Sequence, residues 1–305
     1  MARGITCRPE QVIITSGYQA ALGLITQALL AHGDQVWIED PGYHRARLGL
    51  EAARLDLTPV SVDHEGMNVE AGVARAPRAR LAIVTPSHQA PLCVSLSLPR
   101  RVALLDWATR TEAWILEDDY DGEFRYTGKP IPALKSLDRH ERVLYAGSFS
   151  KVLFPGLRLG YLVVPAELVS RFQTVCEFLY RDRPLFQQQV VTNFISEGYF
   201  YRHIGKMRTL YAERRLALAE ACRVLLADEA RLDLHEGGMH LLLRLGQDED
   251  DRGYVERAKA QGLAPVELSL WTMECRDRGL VVSFTNIAAD QAERRVLELK
   301  KAIWS

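Results

Sequence analysis

Apolar residues along the first two-thirds of the chain follow two alternating periods. The run "QVIITS" (11–16) is short, continuous and β-branched, and "YQAALGLITQALLA" (18–31) then places apolar residues three and four apart. The first predicts a strand and the second an amphipathic helix. The pair recurs: "QVWIED" (35–40) precedes the helical "PGYHRARLGLEAA", and "RLAIVTPS" (80–87) precedes the helical "LPRRVALLDWATRT". "AWILEDDY" (113–120) and "RVLYAGS" (142–148) predict further buried strands with polar residues at their C-terminal ends. Such alternation predicts an α/β fold, a mostly parallel sheet with helices on both faces. From about 166 to 226 the pattern is strongly helical, after which "RLDLHEGGMHLLLRL" and "GLVVSFTNI" supply short strands with helices between and after. The expectation is a large domain over 1–165 and a smaller α+β domain over 166–305. No repeat, low-complexity tract or Pro/Ser-rich linker intervenes, so the two are expected to share an interface.

Composition narrows the classes. A chain of 305 residues, 48% hydrophobic and 25% charged, can bury a sizeable core. Its formal charge of -1 carries no electrostatic footprint for nucleic acid, so no nucleic-acid contact is expected of this chain itself. The five cysteines are scattered, odd in number and without a CxxC pair, which reads as reduced thiols in a cytoplasmic protein. No apolar run reaches membrane-spanning length, and "MARGITCRPEQ" is not a signal peptide.

In open α/β sheets ligands bind beyond the C-terminal ends of the strands, so chemistry is sought there. "TSGYQ" (15–19) turns a strand into a helix through Gly17, and a helix start is a ready phosphate site. An ordinary turn would read the same way. "EDDYDGEF" (117–124) sets a cluster of acidic residues at the end of an apolar strand, able to hold a metal, act as a base or pair with a cationic ring. With no His or Cys at ligand spacing nearby, metal is the weakest of these. "GSFSKVLFPGLRLGY" (147–161) places Lys151 among hydroxyls and apolar residues, where an ammonium is destabilised and the amine is free to form a Schiff base. Pyridoxal phosphate needs such a lysine, an acidic partner for its ring nitrogen, anion binders for its phosphate and an aromatic face, and all four occur at strand ends. GxxxxGK[ST], GxGxxG after a strand and G-x-S-x-G are absent from the chain.

The ordered set "ITSGYQAALGL", "EDPGYHRAR", "TPSHQ", "LPRRVALLDWA", "ILEDDYDGEFRY" and "GSFSKVLFPGLRLGY" resembles fold type I pyridoxal-phosphate proteins of the aspartate aminotransferase class. It is most similar to the aminotransferase-like domain of MocR/GabR-type transcriptional regulators, over nearly the whole chain. The resemblance implies that Lys151 forms the Schiff base with the cofactor, Asp118 pairs with the pyridine nitrogen and Tyr120 bonds the phenolic oxygen. It implies that Tyr43 stacks on the ring and that Gly17, Tyr18 and Gln19 contact the phosphate, with Ser148 and Arg158 completing the cup. His88 or Gln89 takes the place of the asparagine that aminotransferases set against the ring oxygen. It further implies a homodimer acting on a small amino compound.

Three departures shape the functional reading. The family's domain begins several dozen residues upstream, with an N-terminal arm and a tyrosine that reaches the neighbouring subunit's phosphate, and regulators add a winged helix. Pro91, Leu92 and Cys93 stand where the family tends to show Pro-Thr-Gly or Pro-Ser-Gly. In "GLVVSFTN" Val281 occupies the place of the arginine that binds the substrate carboxylate, while Arg276 and Arg278 fall on the preceding turn. The expected function is a sensing and dimerising domain of a regulator. A free-standing aminotransferase is the alternative, and a third reading is an incomplete domain without cofactor.

Overall fold

The structure is a computed structural model and describes residues 3–129, 131–179 and 185–304. Its strands are β1 (Val12–Thr15), β2 (Gln35–Asp40), β3 (Asp56–Asp63), β4 (Gly66–Met67), β5 (Leu81–Val84), β6 (Trp114–Asp119), β7 (Val143–Ser148), β8 (Gly160–Val163), β9 (Arg231–Asp233), β10 (His240–Leu245), β11 (Val266–Glu267) and β12 (Arg278–Ser283). The first eight form one sheet in the order β1-β8-β7-β6-β5-β2-β3-β4. Strands β3, β2, β5, β6 and β7 pair in parallel; β8 runs against β7 and β1, and the short β4 runs against β3.

Strand alternation distributes the core to both faces. Val36, Ile38, Leu81, Ile83, Trp114 and Leu116 point to one side. There they meet α1 (Tyr18–Leu29) and α2 (His44–Ala52). Trp37, Ala82, Val84 and Ile115 point to the other, against α3 (Val69–Arg75) and α4 (Leu98–Thr111). Trp37 and Trp107 stack there at 3.9 Å, and the Trp37 indole N–H donates to Ala76 O at 3.0 Å. Fully burying a large apolar side chain contributes roughly 1.5–3 kcal/mol, so these two layers hold the sheet between its helices. Ser97 and Asn68 cap α4 and α3 by accepting from the N–H of Arg100 and Ala71.

Beyond a short α5 (Phe149–Val152), helices α6 (Val169–Leu179), α7 (Leu185–Ser196) and α8 (Tyr199–Leu225) account for the helical stretch. Phe172 and Cys176 of α6 join the core under α1 on the large sheet. The second sheet, in the order β11-β12-β10-β9, is antiparallel and packs its Leu241, Leu243 and Leu280 face on α8, α9 (Asp251–Ala260) and α10 (Ala292–Trp304). Its other face, Leu242 and Val281 with Leu268, meets Leu92 of the large sheet's loop.

Four strands lie outside the pattern-based expectation: the two-residue β4 and β11, and the longer β3 and β8. β3 carries Pro59 in its middle, which argues against a strand on sequence grounds. It is tolerated because β4 reaches only Val62 and Asp63, leaving that flank of β3 with no ladder for a proline to break. β8 is four residues long and hidden in "LRLGYLVV", between two turns.

Candidate functional site

Six strands, β1, β2, β3, β5, β6 and β7, end on one edge of the large sheet, beside the start of α1. Gly17 is the N-cap of that helix at φ +93°, a backbone region that favours glycine, and no side chain caps the helix. Its positive dipole end therefore faces the strand ends. Tyr18 Oη and Gln19 Nε2, in the first turn, are buried without a well-formed hydrogen bond. Tyr43, the N-cap of α2, places its ring 6.0 Å from that of Tyr18, tilted by 56°. Burial pushes the Tyr43 phenol up, while nearby Gln19 and the charge of Arg158 oppose the shift. Arg158 is exposed in a left-handed turn at φ 49°.

The acidic strand end separates into three environments. Asp119 accepts from Arg3 Nε at 2.6 Å and from Tyr145 Oη at 2.6 Å. Asp121 lies 2.9 Å from His88 Nδ1, both side chains almost fully buried. Asp118, 6% exposed, has no cationic partner among the described residues. Burial, then the carboxylates of Asp119, Asp121 and Glu39, push its pKa well above the usual carboxylate range. The nearby Tyr18 hydroxyl only partly opposes this, since it makes no hydrogen bond of good geometry.

Glu39, whose charge is felt at Asp118, is pushed up to about 7 by burial, against the bonds from Thr85 Oγ1 at 2.6 Å, Thr85 N and Gln89 Nε2. An acid whose folded pKa is raised takes up a proton on folding. Its contribution is fully present below the unfolded value near 4.5 and is lost as pH rises through about 7. Chemical denaturation is therefore expected to show stability falling over that window, and Glu39→Gln should remove up to about 3 kcal/mol of that total fall. An unchanged slope in Glu39→Gln would assign the dependence to other groups.

The loop after β5 supplies a second group. Tyr120 Oη donates to His88 O at 3.1 Å, and burial raises its pKa well above that of a free phenol. Gln89 is turned into its own loop: Nε2 donates to Pro41 O at 2.7 Å and Ala90 O at 2.9 Å, and Oε1 accepts from Leu92 N at 3.0 Å. That geometry leaves His88, rather than Gln89, beside Tyr120. Cys93 adopts φ 58°, which explains why a glycine suits this position. Its sulfur is 3.2 Å from His240 Nε2, which also lies 2.7 Å from Pro91 O. Burial raises the Cys93 thiol and lowers the His240 imidazole, which favours the uncharged form of each.

Lys151 lies on α5, three residues past Ser148, whose Oγ caps that turn by accepting from Ser150 N at 3.2 Å. The lysine is exposed, not enclosed by apolar residues as its sequence neighbours suggest. Leu157 and Leu159 explain the difference: they pack away from it, against Val191. Lys151 is close enough to His240 for its charge to add to the lowering caused by burial. Val281 packs with Leu92, Leu242 and Leu268, while Arg276 is exposed and Arg278, the first residue of β12 and not part of the preceding turn, donates to the carbonyls of Arg276 and Asp277. Pairings that sequence reasoning missed, His88 with Asp121 and Cys93 with His240, join residues with no local signal between them.

A sheet of this order, with carboxylates and a lysine at the ends of neighbouring strands, defines a class, and comparison places the chain in it. The family model for class I and II aminotransferases matches residues 2–286, and the chain belongs to that family. It is 41% identical over 262 residues to the probable rhizopine catabolism regulatory protein MocR of Rhizobium meliloti, covering 86% of this chain and 53% of that protein. It is 35% identical over 303 residues to the uncharacterized HTH-type transcriptional regulator YdeL of Bacillus subtilis, covering 99% and 65%. The chain thus spans 53% and 65% of the length of these relatives. Among solved structures, the kynurenine aminotransferase of Pyrococcus horikoshii, in complex with PMP, superposes with a TM-score of 0.88 at 30% identity, covering 96% of this chain and 74% of that one. No helix among the described residues is long and apolar enough to cross a membrane.

Proposed function

We propose that this chain binds pyridoxal phosphate and is the effector-sensing and dimerising part of a MocR/GabR-type transcriptional regulator. The observation that carries the cofactor is Asp118: a buried carboxyl beside three others with no cationic partner among the described residues, its pKa raised by that burial and crowding, next to a helix start with two unpartnered buried polar atoms. A protonated pyridine ring supplies that cation, and its phosphate suits the helix start. When bound, the cofactor supplies an aldehyde that condenses with amines and a ring that draws electrons from the carbon bearing them.

The chain's own residues divide the work. Lys151 holds the aldehyde carbon, Asp118 keeps the proton on the ring nitrogen, and Tyr120 with His88 faces the phenolic oxygen. Tyr43 covers the ring. Gly17, Tyr18, Gln19, Ser148 and Arg158 hold the phosphate, and Gln89 braces the loop that presents His88. A division near residue 165, with α6 returned to the large sheet's core, a cytoplasmic location and a small amino compound as ligand belong to the same reading, with DNA contact left to a segment outside this chain. The regulator likeness at 41% identity and the apolar setting of Val281 support sensing over turnover. The intact Lys151, Asp118 and Tyr120 set supports the second reading, a free-standing aminotransferase.

Light scattering with cofactor present tests the assembly: a homodimer is expected, and a monomer across micromolar concentrations would count against it. The reading frame upstream of Met1 separates the two functions. An in-frame winged-helix segment makes this part of a regulator, and a frame without one leaves the aminotransferase.

A further inference from the structure

Two buried carboxylates outside the candidate site grip one segment from opposite sides. Asp40, the last residue of β2 and 5% exposed, accepts at Oδ1 from Met273 N at 2.8 Å. Its Oδ2 accepts from Glu274 N at 2.8 Å and Cys275 N at 2.9 Å. Asp251, 2% exposed at the start of α9, accepts from Ser269 Oγ at 2.7 Å, Ser269 N at 2.9 Å and Gly279 N at 3.2 Å. Carboxylates bonded to backbone N–H groups make strong charge-assisted bonds that fix a chain path. Residues 269–275 are therefore tied to the large sheet by one acid and to the small sheet's helix by the other.

Trp271 stands in the middle of this strap. Its carbonyl accepts from Gly42 N at 2.8 Å, and the next carbonyl, of Thr272, accepts from Arg47 Nη1 at 2.8 Å. The indole lies 5.9 Å from the Tyr43 ring at 39° and 5.3 Å from the His44 ring at 80°. Gly42 cannot carry a side chain there, because a Cβ would run into the Glu39 carbonyl. The backbone leading into Tyr43 is thus pressed between β2 and the strap.

We infer that Trp271 is a positioning residue for Tyr43, and that the strap held by Asp40 and Asp251 passes the attitude of the small sheet to the ring that covers the cofactor. A ligand that shifts the small sheet would then be read at the cofactor through Trp271. The inference rests on the reading of Tyr43 as the stacking residue.

The test pairs hydrogen exchange with visible circular dichroism of the bound cofactor, in protein of unchanged far-ultraviolet dichroism. Asp40→Asn keeps the volume but cannot accept three N–H bonds as a carboxylate does. It should raise exchange at residues 273–275 about tenfold or more and reduce the visible dichroism. Trp271→Leu should raise exchange at residues 42–44 and reduce the dichroism likewise, and Trp271→Phe should restore both. Loosened exchange at 273–275 with wild-type dichroism and cofactor affinity would overturn the coupling, as would wild-type behaviour of Trp271→Leu. Should the unmodified protein bind no cofactor, the functional reading fails separately. Exchange at residues 42–44 then decides the coupling alone: raised by Trp271→Leu it stands, unchanged it falls. If Trp271→Leu does not fold, Asp40→Asn, which removes no ring, decides by exchange at the same residues.

Discussion

Borohydride reduction after incubation with pyridoxal phosphate is expected to leave a phosphopyridoxyl mass increment on Lys151, and Lys151→Ala to show neither that increment nor the visible absorbance band. The effect should be complete, because a covalent link has no partial substitute. Lys135 is the informative rival. Burial lowers its pKa, which favours the free amine. Its Nζ, however, donates to Val143 O at 2.6 Å, at the N-terminal end of β7. Lys151 follows the C-terminal end of the same strand, next to β6, where Asp118 pairs in register with Ala146 and Asp119 with Gly147. On the proposed reading, position selects Lys151 over Lys135. A mass increment on Lys135, or an unaltered spectrum in Lys151→Ala, would overturn the assignment.

What could be read from sequence follows the range of the interactions involved. α4 carries its own start and stop, Ser97 with Pro99 and a left-handed Glu112, and its predicted span matches Leu98–Thr111. Strands β2, β6 and β7 were legible because continuous apolar runs are what a two-sided parallel sheet requires. β3 was not, because Pro59 is acceptable only once its unladdered flank is known. The same limit governs the site. That Tyr18, Tyr43 and Asp118 influence one another is a consequence of parallel strands ending on one edge, which strand–helix alternation implies. The differing fates of Asp118, Asp119 and Asp121 depend on Arg3 and His88, distant in sequence from the acids they meet. Nothing in "EDDYD" distinguishes them. The strap through Trp271 is more remote still, since Asp40 bonds residues from Met273 to Cys275.

The second large effect concerns the substrate side. Val281 lies on the same face of the small sheet as His240, two residues along the register from Ser283, and is 7% exposed among Leu92, Leu242 and Leu268. That wall offers no cation to a carboxylate. Transamination needs the substrate held so that its Cα–H bond stands perpendicular to the cofactor ring, and an arginine bonded to both carboxylate oxygens enforces this. A charge-assisted hydrogen bond contributes about 1.5–3 kcal/mol, so its absence should weaken α-amino acid binding by about one to two orders of magnitude. The cofactor-loaded protein should therefore answer common α-amino acids slowly or only at high concentration, with little keto acid formed. It should also discriminate only weakly between an amino acid and the corresponding amine lacking the carboxylate. A stopped-flow scan of such pairs measures both. Val281→Arg introduces a charge into an apolar cluster, so its folding is checked first; where it folds, affinity for the amino acid should rise and for the amine should not. Rapid multiple turnover of amino acids by the unmodified chain would remove the sensing-domain reading and leave the aminotransferase in its place.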